Sequence, residues 1–350
     1  MLNRVTFIIA AVSLTLLGAG CAKTYDPAPE QDAAIRFGAG SLLLNDVYAS
    51  KADYYDNTSF GVFAFRQSGG TWAQLATKNW KPDFMFNQEV VHGLGSAYTY
   101  SPTRYWPDPA ESTLTFWAYS PYDENALLLE SGSTTSAYTS SSTGLPDMRY
   151  TSDGHTDFMV SDLVKDQTFA SNSGVVELPF GHALSKVDVS VQKQDPEDRY
   201  TVTLKNVSFN GIYFTGTIRW NTSTEIWAWA LWSGLRQNLG VWEDDPEDDS
   251  DDIVLTASSQ ALPAVMPLPQ NLTDAAARLH VEFSVSYEGI LHERSTTREI
   301  LLSKVFEEAG AVWNKNCHYA LSITISPDDP IEFTVSWSDW GDVYNFHITD

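Results

Sequence analysis

The chain has 350 residues, a formal net charge of −24, and a composition that is 43% hydrophobic and 13% aromatic. This composition excludes an intrinsically disordered chain, and the charge argues against nucleic acid or anionic lipid headgroups as partners. The length exceeds the size at which one hydrophobic core keeps growing, so two domains are expected.

The N-terminus has the pattern of an export leader that ends at a cysteine. Residues 5–17 form a mostly apolar run behind Arg4, and Gly-Ala-Gly precedes Cys21. The run is shorter than the roughly 20 apolar residues of a membrane-spanning helix, so residues 1–20 are predicted to be a cleaved signal peptide. Cys21 is the predicted lipidation site, although Leu17 lies four residues before it rather than the usual three. Ordinary cleavage that leaves an unmodified cysteine is the alternative.

Beyond a polar tether at residues 21–32, short apolar runs alternate with turn residues, which predicts an all-β protein. Residues 186–192 and 331–337 alternate strictly between apolar and polar side chains. This period of two is typical of strands in an antiparallel sandwich with one face buried. The predicted strands cover residues 60–65, 114–119, 175–180, 186–192, 200–209, 279–287, 320–325 and 331–337. Residues 304–309 are predicted to form a helical turn or two.

The clearest boundary signal lies near residue 182, where LPFGHALSKVDVSV leads from one strand through a short link into another. We therefore expect an N-terminal domain over residues 33–182 and a C-terminal domain over residues 183–350. A lipidated Cys21 leaves Cys317 without a partner, which excludes a disulfide framework. Stability must then come from packed apolar cores.

The sequence lacks the common motifs of catalysis and cofactor binding. It contains no HExxH, GxSxG, P-loop or dinucleotide fingerprint, so no enzyme activity, cofactor or metal is expected. Cys317 and His318 are adjacent, but neighbours along a strand point to opposite faces and cannot readily pair. Cys317 is therefore predicted to be a buried thiol. A β-sandwich hydrolase is only a third interpretation, because 45 acidic residues single out no catalytic pair.

Two local clusters each allow a functional and a structural interpretation. The run EDDPEDDSDD at residues 243–252 lacks the glycine and spaced ligands of an EF-hand loop, so a solvated loop is favoured over a calcium site. Five tryptophans close together in sequence would stack on sugars or dock a partner if exposed, and would fill a core if buried. They are Trp220, Trp227, Trp229, Trp232 and Trp242.

Several stretches, in their order along the chain, resemble the fimbrillin-like lipoproteins, which are major and minor fimbrial subunits of Bacteroidales bacteria. The resemblance covers nearly the whole chain. The stretches are the signal up to Cys21, residues 34–44, FGVFAF at 60–65, YWPDPAESTLTFWAYSP at 105–121, DFMVSD at 157–162, PFGHALSKVDVSV at 179–191, LKNVSFNGIYFTGTI at 204–218, PAVMPLPQNL at 263–272, WNKNCHYALSITI at 313–325 and IEFTVSWSDW at 331–340.

The resemblance implies two tandem transthyretin-like antiparallel β-sandwich domains and assembly into a pilus that acts in adhesion. It also implies a lipidated precursor that reaches the outer membrane and cell surface, where a trypsin-like protease removes the first strand of the N-terminal domain. A strand from another fimbrial subunit then fills the opened groove. The added strand satisfies both the exposed backbone groups and the apolar trench.

Mapped onto this chain, the removable strand is residues 34–44, in which Ile35 and Phe37 share one face. Beyond it the chain offers Lys51 where the family typically has an arginine. The sequence leaves two alternatives. Another protease cuts the chain at Lys51, or the protein stays uncut and serves as an anchor or accessory subunit. Residues 341–350 are either a short donor strand or the end of the sheet.

The sequence therefore favours a lipid-anchored fimbrial subunit or accessory protein without enzyme activity. The alternative is a monomeric surface lipoprotein that binds a glycan on a host or bacterial surface through its tryptophan cluster.

Replacing Cys21 tests the anchor. Cys21→Ala should abolish lipidation and release the protein from membranes, because the thiol that carries the lipid is gone. Labelling cells with a palmitate analogue measures this, and Cys317→Ala serves as the control that keeps its label. Equal labelling of wild type and Cys21→Ala would contradict the lipoprotein assignment.

Overall fold

The computed structural model describes residues 33–38, 59–76, 80–92, 98–124, 144–194, 200–231, 236–245, 253–289, 294–326 and 330–340. Throughout this part of the chain the protein is nearly all β, with mostly antiparallel sheets packed around apolar cores. The predicted all-β sandwich class is therefore confirmed. The transthyretin-like character of the sandwiches stays a prediction.

The described residues before position 183 form ten strands and two short helices. The strands are β1 (Arg36–Gly38), β2 (Ser59–Ser68), β3 (Met85–His92), β4 (Tyr98–Thr99), β5 (Ser112–Ser120), β6 (Met148–Thr151), β7 (Met159–Ser161), β8 (Val164–Gln167), β9 (Val175–Glu177) and β10 (Phe180–His182). The helices are α1 (Trp72–Leu75) and α2 (Phe169–Asn172).

The main sheet of this half runs in the order β10-β7-β5-β2-β3-β4, with β8 beside β5. Its central strands β2 and β5 are buried on both faces. On one face Phe63 and Trp117 enter one core cluster, and on the other Phe60 and Phe116 enter a different cluster. Burial on both faces explains why FGVFAF and LTFWAY are continuous apolar runs rather than alternating ones.

The remaining described chain adds thirteen strands and one helix. The strands are β11 (Lys186–Lys193), β12 (Tyr200–Tyr213), β13 (Thr215–Asn221), β14 (Ile226–Leu231), β15 (Arg236–Glu243), β16 (Ile253–Val254), β17 (Gln260–Ala261), β18 (Gln270–Asn271), β19 (Arg278–Tyr287), β20 (Arg294–Leu301), β21 (Val312–Trp313), β22 (Cys317–Ile325) and β23 (Glu332–Asp339). The helix is α3 (Leu302–Val305).

Two sheets form the sandwich of this second half. One has the order β17-β11-β22-β23, and the other has the order β15-β12-β19-β20 with β16 beside β12. Both contribute to one core cluster, to which β11 supplies the alternating residues Val187, Val189 and Val191. The alternation that the sequence shows in this strand thus corresponds to one buried and one solvated face.

A hairpin of β13 and β14 joins the two halves. Although it belongs to the second half of the sequence, β13 pairs with β6 in the first half. Trp227 on β14 packs against Trp117 with ring centroids 4.6 Å apart, and its Nε1 donates to the Ser161 carbonyl oxygen at 3.1 Å. The halves therefore share buried surface, and the proposed division at residues 182/183 stays a prediction.

Two local predictions need adjustment. Residues 175–180 form two strands rather than one, because Leu178-Pro179 interrupts the ladder and proline has no N–H to donate to it. The helical turn begins at Leu302, two residues earlier than expected. None of the described helices is long and apolar enough to span a membrane.

Truncating Trp227 tests the role of the hairpin. Trp227→Ala should lower the free energy of unfolding by about 3–5 kcal/mol, because it leaves a cavity between the halves and removes a buried hydrogen bond. Urea denaturation measures this change. The matched control is Trp337→Ala on β23, which is 44% exposed and should cost less than about 1 kcal/mol. Equal losses would contradict the proposed role.

Candidate functional site

The candidate site is the cleft that holds β1, between residues 104–106 and residues 174–178. On one side Ile35 N donates to the Arg104 carbonyl oxygen at 2.9 Å, and Trp106 N donates to that of Ala33 at 3.0 Å. On the other side Arg36 N donates to the Gly174 carbonyl oxygen at 3.0 Å. There β1 pairs in parallel with β9. The segment is therefore an inner strand, hydrogen-bonded along both edges.

The side chains of β1 and of Ile35, which directly precedes it, alternate between core and solvent. Ile35 is 1% and Phe37 is 6% exposed, whereas Arg36 between them is exposed. The Phe37 ring packs edge-on against Phe116 and Tyr100, with centroids 6.0 and 5.4 Å away. Burying two such side chains stabilises the domain by roughly 3–6 kcal/mol.

Polar contacts fasten the middle of the segment to both walls of the cleft. The Tyr100 hydroxyl donates to the Ile35 carbonyl oxygen at 2.9 Å. Burial raises the pKa of Tyr100, so this donor stays protonated further into the alkaline range than an exposed tyrosine would. The Arg36 guanidinium donates to the Ser173 carbonyl oxygen at 2.9 Å. Trp106, which forms part of the cleft wall, donates from Nε1 to Gly174 at 3.3 Å and so ties the two walls together.

This geometry means that the cleft is stable only when an extended segment occupies it. Without β1 the cleft would expose an apolar floor together with unpaired backbone groups on both walls. Water satisfies the backbone but not the apolar floor, whereas another extended segment satisfies both. The contacts of β1 are noncovalent within the described residues, so an equivalent strand with apolar residues at the same spacing could replace it.

Several predicted site residues lie outside the described residues. These are Cys21, Lys51, Trp232, residues 39–44 of the predicted first strand, residues 246–252 of the acidic run, and residues 341–350. In the described part of the acidic run, Asp244 pairs with the Lys205 ammonium at 2.8 Å and is only 10% exposed. This acid is therefore a structural ion-pair partner rather than part of a solvated face.

The described tryptophans of the cluster are not an open stacking surface. Trp220 is 7% and Trp227 is 2% exposed, so neither presents a ring to a ligand. Trp229 is half-buried and donates from Nε1 to the Ala183 carbonyl oxygen at 2.6 Å. Trp242 is half-buried against the core of the second half. The interpretation of these residues as core fits their positions better than the interpretation as a ligand surface.

Cys317 and His318 lie on opposite faces of β22. His318 Nε2 contacts Asp188 Oδ2 at 2.8 Å on the outer face, whereas Cys317 packs against the core. The expectation that Cys317 is buried is too strong, because the residue is only half-buried at the start of its strand. Burial raises the pKa of the Cys317 thiol, and the nearby Asp339 carboxylate raises it further.

One contact at the junction of the halves has no signal in the sequence. His182 Nδ1 lies 2.7 Å from Asp157 Oδ2, and both side chains are buried. The Trp340 indole stacks on the His182 ring, with centroids 3.7 Å apart and planes within 3°. A histidine, an aspartate and a tryptophan so far apart in sequence show no pattern, so only the tertiary structure reveals the cluster. Among all the described residues, this pair included, no group of three His, Cys, Asp or Glu side chains is arranged to hold a metal.

Comparison with known sequences identifies the family. The fimbrillin-like family profile matches residues 49–340, which is most of the chain. The chain belongs to the fimbrillin-like family. A curated relative, the fimbrium subunit Fim1C of Phocaeicola vulgatus, is 30% identical over 139 residues, covering 37% of this chain and 36% of the relative. That alignment therefore spans about a third of the length of the curated relative.

Solved structures support the fold of this fimbrillin-like chain. A fimbrial protein from Bacteroides vulgatus superimposes with a TM-score of 0.57 at 18% identity, covering 88% of this chain and 99% of that chain. A candidate cell adhesion protein from Bacteroides uniformis gives a TM-score of 0.52 at 16% identity, with 88% and 98% coverage. The fold is thus one that fimbrial and adhesion proteins of these bacteria use.

Thiol reactivity tests the environment of Cys317. In a Cys21→Ala protein, Cys317 should react with a maleimide dye more slowly when folded than in urea, because the thiolate reacts and its pKa is raised in the fold. The rise in labelling rate with pH should therefore shift to higher pH in the folded protein. Cys317→Ser should change the free energy of unfolding by about 1 kcal/mol. Folded and unfolded protein labelling at the same rate would contradict this environment.

Proposed function

We propose that this fimbrillin-like protein is a lipid-anchored, non-enzymatic fimbrial subunit or accessory protein that assembles by strand exchange and acts in adhesion. The observation that carries the proposal is β1, an N-terminal strand hydrogen-bonded along both edges of a cleft floored by aromatic side chains. Cys21 would hold the precursor at the outer membrane, and a strand from another subunit would take the place of β1 at the cell surface.

The cleft supports the exchange energetically. A departing β1 gives up two buried side chains and the hydrogen bonds along both edges, which is a large fraction of the net stability of a domain. An incoming strand with apolar residues two apart recovers the same terms. Because a strand recovers the backbone pairing on both walls together with the apolar burial, the joint between subunits would be long-lived.

The layout of the sheet supports the exchange structurally. Phe60 and Phe116 face β1, whereas Phe63 and Trp117 face the hairpin of β13 and β14. Losing β1 therefore uncovers part of one face of the sheet and leaves the other face packed. The truncated protein would keep its second half attached and present an open cleft to a neighbour.

Limited proteolysis tests the proposal. Trypsin should cut first at or near Lys51, which lies in the polar stretch between β1 and β2. The truncated product should then self-associate, because its open cleft recruits a replacement strand. Mass spectrometry locates the cut, and size-exclusion chromatography with electron microscopy follows the association.

Matched variants make this test specific. Lys51→Gln should block both cutting and association, whereas Lys81→Gln, at an exposed lysine of the same half, should block neither. Excess synthetic peptide of residues 33–44 should fill the cleft and prevent association. The same peptide with Ile35→Asp and Phe37→Asp should not. A cut protein that stays a stable monomer and takes up no peptide would refute strand exchange.

A further inference from the structure

A polar groove crosses the outer face of the five-stranded sheet of the second half, far in sequence from the cleft that holds β1. Its volume is about 380 Å³, and the central strand β12 flanked by β15 and β19 forms its floor. The groove is lined by Asn206, Ser208, Gly240, Glu243, His280 and Glu282, among others. The family comparisons and the strand-exchange proposal assign nothing to this face.

The groove results from irregular pairing of β12. Its register shifts against β19 between Leu204 and Asn206, and against β15 between Val207 and Ser208 and again between Phe209 and Ile212. Such bulges bend a strand, increase its local twist and re-aim its side chains, and they occur often beside binding sites. A sheet with regular pairing would present a flatter outer face.

Gly240 leaves the groove open. A Cβ atom built on this residue would meet no protein atom within 4 Å, and the backbone does not require glycine. The absence of a side chain is therefore explained by neither packing nor conformation. It does keep free the space directly beside Ser208, the cross-strand partner of Gly240.

The lining combines donors and acceptors in a pattern that suits hydroxyl groups. Asn206 lies in register between Glu243 on one side and Glu282 on the other. Carboxylates accept hydrogen bonds, and amides both donate and accept. The Oδ1 atom of Asn206 is buried and has no hydrogen-bond partner among the described residues, so this amide gains a bond if it turns its oxygen toward a hydroxyl in the groove.

Charge narrows the class of ligand. Glu243 and Glu282 border the groove, and His280 contacts a third carboxylate, Glu299. The whole chain carries a formal charge of −24, which disfavours sulfated or sialylated ligands. A resident metal is also disfavoured, because no group of three His, Cys, Asp or Glu side chains in the described chain is placed to hold one.

We propose that this groove binds a neutral saccharide. The lining offers amide, hydroxyl, imidazole and carboxylate partners for sugar hydroxyls, and its volume suits one or two sugar rings. The groove has no aromatic platform, so a single site would bind weakly, and a filament that repeats the site would gain avidity. The site itself does not depend on assembly, since all of its residues belong to one chain.

Saturation-transfer NMR on the uncut monomer tests the proposal. The probes are methyl α-D-mannopyranoside, methyl β-D-galactopyranoside and N,N′-diacetylchitobiose, with 3′-sialyllactose as the anionic comparison. At least one neutral probe should show transfer, and 3′-sialyllactose should show none. Gly240→Gln should abolish the transfer, because the new side chain would occupy the groove and its Cβ would meet no protein atom within 4 Å. The matched control is Gly181→Gln, where an added Cβ also meets nothing within 4 Å, and it should keep the signal.

Transfer to none of the neutral probes, or transfer unchanged by Gly240→Gln, would reject a saccharide site in this groove. Loss of the signal on adding EDTA would replace it with a cation-dependent site. Because the protein in this experiment is uncut and monomeric, each of these failures leaves the strand-exchange proposal to be decided by its own test.

Discussion

The contact between Trp117 and Trp227 is the interaction on which the arrangement of the two halves depends. Trp117 lies at the centre of the main sheet of the first half, and Trp227 comes from a hairpin of the second half. Their rings pack 4.6 Å apart, and both indoles are almost fully buried. A tryptophan of one half thus completes the core of the other, so separating the halves would expose large apolar surface on both.

This contact gives the main sheet two buried faces with different roles. The face that contains Phe63 and Trp117 packs against the hairpin. The face that contains Phe60 and Phe116 packs against β1, which is held there by noncovalent contacts along both edges. One face can therefore exchange its cover while the other maintains the fold, which is what a subunit that joins its neighbours through a strand requires.

Much of the fold could be predicted from hydrophobic patterning. The alternating run at residues 186–192 became β11, and the continuous apolar runs FGVFAF and LTFWAY became the central strands β2 and β5. The first strand came from the family resemblance, and the period of two predicted that Ile35 and Phe37 share a face, which is the buried one. These features are local, because the side-chain period of a strand is fixed by the backbone itself.

Other features depended on contacts between distant segments. The tryptophan run of β13 and β14 has the same pattern whether its rings face solvent or a core, and only the docking of the hairpin on β6 buried Trp220 and Trp227. The Asp244 carboxylate forms an ion pair with Lys205 on the neighbouring strand β12, so part of the acidic run is structural rather than solvated. The groove at Gly240 arose from register shifts, which depend on how three strands fit together.

The sequence by itself determined that the protein is all-β, that it resembles the fimbrillin-like family, and which residues point inward on individual strands. The tertiary structure alone decided which surfaces are covered and which are open. It fills the cleft with β1, buries Trp220 and Trp227, and leaves the polar groove at Gly240 open. The physical reason is that side-chain direction along a strand is a local property, whereas burial depends on the segments that pack on top of it.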